Sequence, residues 1–298
     1  VFDMGWRTQN ATVGTGHAGT RGWTGYSWNR KLIKDPAKLI QDLKDDHVYV
    51  VLNEHPHDGL RPHDDAYPMF IRDLGADTLK NGVPLFDAGN PEYMKAFMKH
   101  AHQESDQMGV AFWWLDWQQD YLYPYVRGTS MRHLPWLNKI YYDYSARNNL
   151  RGAGFSRWAG WGDHRHPIQF SGDAVANWEL LRFEIDLTTT SGNAGCFFWA
   201  HDLGGFYGGD DAELYTRWTQ FGLLNSSLRI HSVYDEKLDR RPWLWGDKEE
   251  EAMKRIYHLR SQLMPYIYSS VHQCYEDMIP LNRGLYLEYP SDEKAYQC

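Results

Sequence analysis

Ionisable side chains stand at the ends of nearly every short apolar run in this chain. Asp3 lies within Val1–Met4, His55 just beyond Val48–Asn53, Asp116 after Val110–Leu115, and Arg157 at the end of Gly154–Arg157. Asp173 follows Ile168–Phe170, Asp202 follows Gly195–Ala200, and Arg229 and His231 flank Ile230. If these runs are parallel strands of an α/β barrel, their C-terminal ends share one face, where such folds place their chemistry. Asp116 ends Phe112-Trp-Trp-Leu-Asp-Trp117, a carboxylate between indoles that suit the apolar faces of a sugar ring. Asp173 closes Gln169-Phe-Ser-Gly-Asp173, where Gly172 permits close backbone approach. Two carboxylates about 5 Å apart form the apparatus of retaining glycoside hydrolysis, one attacking the anomeric carbon and the other protonating the leaving oxygen.

Other readings of the same residues stay open. Asp116 could simply cap the loop that follows its strand, and Asp173 could be the N-cap of the next helix. His55-Pro56-His57, with His63, Asp64 and Asp65 nearby and Asp202 on a later run, has the composition of a metal-dependent barrel hydrolase site. Against the metal reading, Pro56 constrains the two histidines and no lysine suited to carboxylation ends a strand, which leaves loop histidines hydrogen-bonded to neighbours. Gly22-Trp-Thr-Gly-Tyr-Ser-Trp-Asn29 reads either as a packed loop or as a platform for sugar rings.

The elements that must position these residues follow from periodicity. Short apolar runs alternate with longer amphipathic stretches, the pattern of βα units around a parallel sheet. The runs named above, with Leu228–Ile230, make seven strand candidates, one short of a (β/α)8 barrel. Asp35-Pro36 and Asn90-Pro91 pair a capping side chain with a proline at the first helical position. After Asn90, the spacing of Tyr93, Met94, Phe97, Met98 and Ala101 predicts a helix with one face in the core. Further helices are expected over Ala174–Leu187, Ala212–Leu224 and Lys248–Tyr275, the last kinked at Pro265. Thr8–Asn29 and His55–Gly89 read as long functional loops.

Composition excludes several classes. The chain has 298 residues, 14 of them Trp, and a net charge of −8 with no basic stripe, which argues against nucleic acid as a partner. No apolar window reaches the 18 or so residues of a membrane span, so the chain reads as soluble with no membrane partner. Cys196, Cys274 and Cys298 have no metal-like spacing and leave the redox compartment open. Val1 opens directly into an apolar run, so any targeting signal is expected outside this segment.

The motifs taken in order resemble glycoside hydrolase family 31, the retaining α-glucosidase and α-xylosidase family. The family's Trp-Ile-Asp-Met-Asn-Glu nucleophile motif matches Trp114-Leu-Asp-Trp-Gln-Gln119, and its His-Trp-Thr-Gly-Asp-Asn acid/base motif matches Gln169-Phe-Ser-Gly-Asp-Ala174. Asp-Ile-Gly-Gly-Phe matches Asp202-Leu-Gly-Gly-Phe206, Arg-Asn-His matches Arg229-Ile-His231, and Arg157 takes the place of the Thr-Arg-Ser arginine. Asp3 stands for the first Asp of Asp-Ile-Asp-Tyr. The resemblance implies Asp116 as nucleophile and Asp173 as general acid/base. It implies sugar-binding roles for Asp3, Trp114, Arg157, Phe170, Asp202, Phe206, Arg229 and His231, with Trp114 and Phe206 as apolar walls.

The resemblance further implies a single catalytic (β/α)8 TIM-barrel domain over residues 1–298, partial in lacking the first strand and flanking β-sandwich domains. An α-glucosidase acting on oligosaccharides or glycosides without metal or cofactor is the first reading. An α-N-acetylgalactosaminidase, a metal-dependent hydrolase using His55, His57 and Asp202, and an inactive sugar-binding remnant are the alternatives. The departures at Gly5, Trp117–Gln119, Phe170 and Ala174 alter pocket polarity and leave both catalytic carboxylates in place. Phe170 and the Asp116 charge are expected to keep Asp173 protonated. Trp23, Trp28, Trp114 and Trp117 are expected in sugar-facing segments, and Trp178 and Trp218 in the core.

Overall fold

The computed structural model describes residues 1–9, 22–116, 124–147, 151–157, 160–166 and 168–297. They fall into two compact units, Val1–Ser156 and Arg157–Cys298.

In the first unit, α1 (Pro36–Asp45) starts where the Asp35 side chain accepts the Lys38 N–H. It leads to β1 (Val51–Glu54), all four residues buried. The stretch read as one long loop after His55 contains two short helices, α2 (Tyr67–Leu74) and α3 (Thr78–Asn81). Asp77 caps the second, and left-handed Gly75 ends the first. These polar stretches carry local hydrogen-bonding signals that composition alone hides.

Asn90 caps α4 (Pro91–Phe97), which continues through a π turn at Met98–His102 into α5 (Gln103–Met108). Tyr93, Met94, Phe97, Met98 and Ala101 are all buried, as their spacing requires. The π turn also places His102 in the core. Its ring stacks on Trp113 at 4.0 Å between centroids, and its Nε2 lies 3.0 Å from Glu54 Oε2. β2 (Phe112–Leu115), α6 (His133–Ser145) and β3 (Phe155–Arg157) follow.

The strands are parallel, with Leu52 beside Trp113 and Trp114 beside Phe155. The run expected over Val1–Met4 forms one parallel bridge, Phe2 to Leu52, before a 3-10 turn at Met4–Trp6. Trp6 itself is core: its indole N–H donates to the Asn53 carbonyl at 2.8 Å, and its ring meets Trp28 and Trp113 edge-on. Trp28 is therefore a packing residue, 4% exposed, in place of the sugar-facing role expected of it.

In the second unit, β4 (Gln169–Phe170) is bridged in parallel to Trp199, and Leu203 to Ile230. The runs Gly195–Ala200 and Leu228–Ile230 are reduced to these single bridges. α7 (Trp178–Thr190) starts later than Ala174 because Val175 is bridged to Tyr207 and Asn177 supplies the cap. Trp178 is 43% exposed, a correction to its expected core role, and its indole N–H reaches Asp211. α8 (Ala212–Gly222) packs fully buried Trp218 against Leu181, Leu203 and Leu214.

α9 (Asp247–Asp277) runs unbroken through Pro265. Among the described residues no helix is long and apolar enough to cross a membrane. Cys196 and Cys274 are free and buried, and burial pushes the Cys196 thiol up to about 11 with the Asp163 charge adding to the effect. Cys298, like Trp117–Gln119, lies outside the described residues.

Phe97 is fully buried and touches the rings of Tyr26, Phe86 and Tyr93. Phe97→Ala should cost about 3–5 kcal/mol of stability in urea denaturation. A loss below 1 kcal/mol would mean that this cluster is not the centre of the first unit.

Candidate active site

In the first unit the parallel register brings Asp3, Asn53, His55 and Asp116 to the C-terminal strand ends. Asp116 follows the last residue of β2, and its backbone N–H is fixed by the Glu54 carbonyl at 3.1 Å. Its side chain is 11% exposed and has two neighbours from the β1 end. Asn53 Nδ2 donates to Oδ2 at 3.1 Å, and His55 Nε2 lies 3.5 Å from the same oxygen. His55 Nδ1 in turn faces Arg7 Nη2 at 3.4 Å. Arg7 is fully buried, and burial draws its guanidinium down to about 10. With Nε2–H directed at the carboxylate, Nδ1 is free to accept from Arg7, so Arg7 and His55 form a line of donors ending on Asp116.

Trp23 meets the His55 ring edge-on at 5.2 Å, while Trp114 is 1% exposed and stacks on Phe155. Trp114 therefore presents almost no surface, against the apolar-wall role expected of it. Asp3 is exposed, and its Oδ1 accepts the Met4 N–H as the cap of the first 3-10 turn.

The second unit collects the remaining candidates. Arg157 Nη2 donates to Asp173 Oδ1 at 3.2 Å, and the guanidinium lies 4.7 Å from the centroid of the Phe170 ring. Arg229 approaches the same ring at 4.9 Å and is paired with Asp202, which is 1% exposed. Phe170 is fully buried under these two cations. Asp173 is exposed and paired with Arg157, where apolar surroundings were expected of it. It is not the helix cap either, since Asn177 fills that position. Phe206 and His231 are half-buried with ring centroids 5.2 Å apart. Phe206 is held by its N–H to the Ala174 carbonyl at 2.8 Å.

Among the described residues no group of three or more His, Cys, Asp or Glu is placed to hold a metal ion. His55 is directed at Asp116. His57 lies 3.4 Å from both the Thr24 hydroxyl and Asp58 Oδ2, so the histidine pair has protein neighbours of its own.

Sequence reasoning passed over Asn53 and Arg7 as supports of Asp116. A hydrophilic residue inside an apolar strand run was the signal for Asn53. Arg7 gave none, because only the packing of the Trp6-Arg7 segment buries it.

The model of the glycosyl hydrolases family 31 TIM-barrel domain matches residues 1–270. A protein named "Probable glucan 1,3-alpha-glucosidase" from Arabidopsis thaliana is 36% identical over 135 residues, covering 45% of this chain and 14% of that protein. Neutral alpha-glucosidase C of Macaca fascicularis is 24% identical over an alignment covering 93% of this chain and 40% of that protein. In fold, the chain is similar to a family 31 alpha-xylosidase from a soil metagenome, solved with xylose. That match has a TM-score of 0.76 at 20% identity and covers 93% of this chain and 47% of the other. The chain thus spans less than half the length of each of these relatives.

Gly172 sits at φ +98°, and a Cβ there would strike Arg157 Nη1. Gly160 has a similar φ of +88° with open space around it. Gly172→Ala should therefore lose more stability than Gly160→Ala, about 1–3 kcal/mol against about 1 kcal/mol, in parallel urea titrations. Equal losses would mean that Arg157 swings aside without cost.

Proposed function

The chain belongs to glycosyl hydrolases family 31, and on that premise we propose that it is a retaining α-glycosidase removing terminal α-linked sugars, with glucose as the glycone. Residues 1–270 match the family domain across the boundary between the two units, which supports reading them as parts of one catalytic domain. The observation that carries the reading is the setting of Asp116, a nearly buried carboxylate at a parallel strand end, oriented by Asn53 and His55. A nucleophile needs its carboxylate fixed in one orientation by donors at the strand end. The α-glucosidase names of the curated relatives support the choice of glycone.

In the first step Asp116 attacks the anomeric carbon while protonated Asp173 gives its proton to the departing oxygen, forming a covalent glycosyl-enzyme. In the second, Asp173 as base takes a proton from water, which displaces Asp116 and releases the sugar with its configuration retained. A sugar hydroxyl that takes over the Arg157 guanidinium would free Asp173 to carry the proton. Asp202 Oδ2 is buried without a hydrogen-bond partner, an acceptor suited to a sugar hydroxyl beside Arg229. Asp3, Phe206 and His231 complete the proposed sugar contacts, and no step requires a metal or cofactor.

A fluorinated α-glucosyl fluoride that traps the intermediate should label Asp116, located by peptide mass spectrometry. Asp116→Ala should abolish turnover of nitrophenyl α-glucoside, and Asp173→Ala should lower it about 10²–10⁴-fold. A label on another residue, or full turnover by Asp116→Ala, overturns the assignment.

A further inference from the structure

The second unit buries a carboxyl group that the proposed chemistry does not use. Glu184, on the inner face of α7, is 1% exposed. Its Oε2 accepts the Trp218 indole N–H at 2.8 Å, and its Oε1 lies 2.7 Å from the Ser171 hydroxyl. The same hydroxyl is 2.9 Å from His201 Nδ1, and His201 Nε2 is 2.8 Å from the Thr188 hydroxyl. Thr188 donates to the Glu184 backbone carbonyl at 2.6 Å. Ser171 lies in the loop that carries Asp173, and His201 immediately precedes Asp202. One closed circuit of hydrogen bonds therefore spans the two proposed working segments of this unit.

Counting protons fixes its direction. The Thr188 proton is used on the Glu184 carbonyl, so His201 Nε2–H must donate to Thr188. Burial, with the Arg229 charge adding, draws His201 down to about 3, so the ring is neutral and Nδ1 is a bare acceptor. Ser171 has a single hydroxyl proton, which must then go to His201. The Ser171 oxygen can meet Glu184 Oε1 only by accepting from it, which requires a protonated carboxyl. The same bonds would also suit an imidazolium–carboxylate pair, since His201 Nδ1 lies 3.5 Å from Glu184 Oε1, but burial disfavours both charges and selects the neutral form.

We propose, resting on the glycosidase reading, that protonated Glu184 is a positioning residue that starts a one-way hydrogen-bond chain through Ser171 to His201, tying the Asp173 loop to the Asp202 strand end. Burial pushes the Glu184 carboxyl up to about 7, so this state is populated below neutrality. Above it, ionised Glu184 can only accept. Ser171 must then turn to it, His201 moves its proton to Nδ1 to follow, and Thr188 turns its hydroxyl from the Glu184 carbonyl to Nε2. The charged or titratable groups acting on the circuit are His201 itself and Arg229, whose partner is Asp202. α8 contributes the Trp218 indole, while its Glu213 and Arg217 are exposed and paired with each other. Glu179, Arg182 and Asp186 of α7 are exposed.

The test follows the His201 ring nitrogens by ¹⁵N NMR in the whole chain from pH 5 to 9, beside the pH profile of kcat on nitrophenyl α-glucoside. The parent should hold the Nε2–H form of His201 at low pH and convert to Nδ1–H as pH rises through about 7. In Glu184→Gln the amide N–H₂ donates to Ser171 at every pH, so the Nε2–H form should persist throughout. The alkaline decline in parent kcat at that pH should vanish in this variant, with KM little changed. Glu184→Ala should lower kcat about tenfold at all pH values, and Glu184→Gln keeps the test decisive if that variant does not fold. A His201 tautomer that ignores both pH and Glu184→Gln overturns the chain. A tautomer that switches as described in a protein with no turnover at any pH instead overturns the glycosidase reading.

Discussion

A carboxyl group removed from water must be given partners, and this chain removes several. Asp116, Asp202, Glu54 and Glu184 are all buried, and each is met by a donor placed at a defined point of the fold. The cost of leaving any of them alone amounts to several kcal/mol, comparable with the net stability of a domain. The packing of each unit is consequently organised around satisfying them. Asn53 turns its amide from β1 toward Asp116, the π turn brings His102 to Glu54, and Trp218 spends its indole N–H on Glu184.

Indoles serve the buried polar groups as well as the core. Trp6, Trp28, Trp113 and Trp218 fill core volume with large rings while each uses its N–H on a fixed acceptor: the Asn53 carbonyl, Ser105, Asp106 and Glu184 respectively. Phe170 works differently. Its buried ring takes two guanidinium groups, those of Arg157 and Arg229, which in turn hold Asp173 and Asp202.

Much of this was legible in the residues. The caps at Asp35 and Asn90, the buried face of α4 and the strand runs ending at Leu115 and Phe170 follow from local rules, because each depends on neighbours a few positions away. What escaped depends on distant partners. Val175 leaves the helical pattern only because Tyr207 bridges it, and Trp28 is buried only because Trp6 and Ser105 receive it. Ordered motifs identified the candidate carboxylates. The residues that hold them in place, Asn53, Arg7 and Glu184, belong to no motif, since their roles arise from burial. Asp173 shows the limit most plainly: its loop was recognisable, yet its charged partner Arg157 comes from a different strand end.

The two enclosed thiols lend the molecule an intrinsic clock. Cys196 and Cys274 sit within the packed interior, and the thiolate of each is disfavoured by its surroundings. An alkylating reagent reaches either sulfur only when the surrounding structure opens. The rate at which each thiol is consumed therefore counts opening events, separately at the bridge segment that carries Cys196 and at the long helix that carries Cys274. The protein thus reports the local breathing of two distinct regions without any added label.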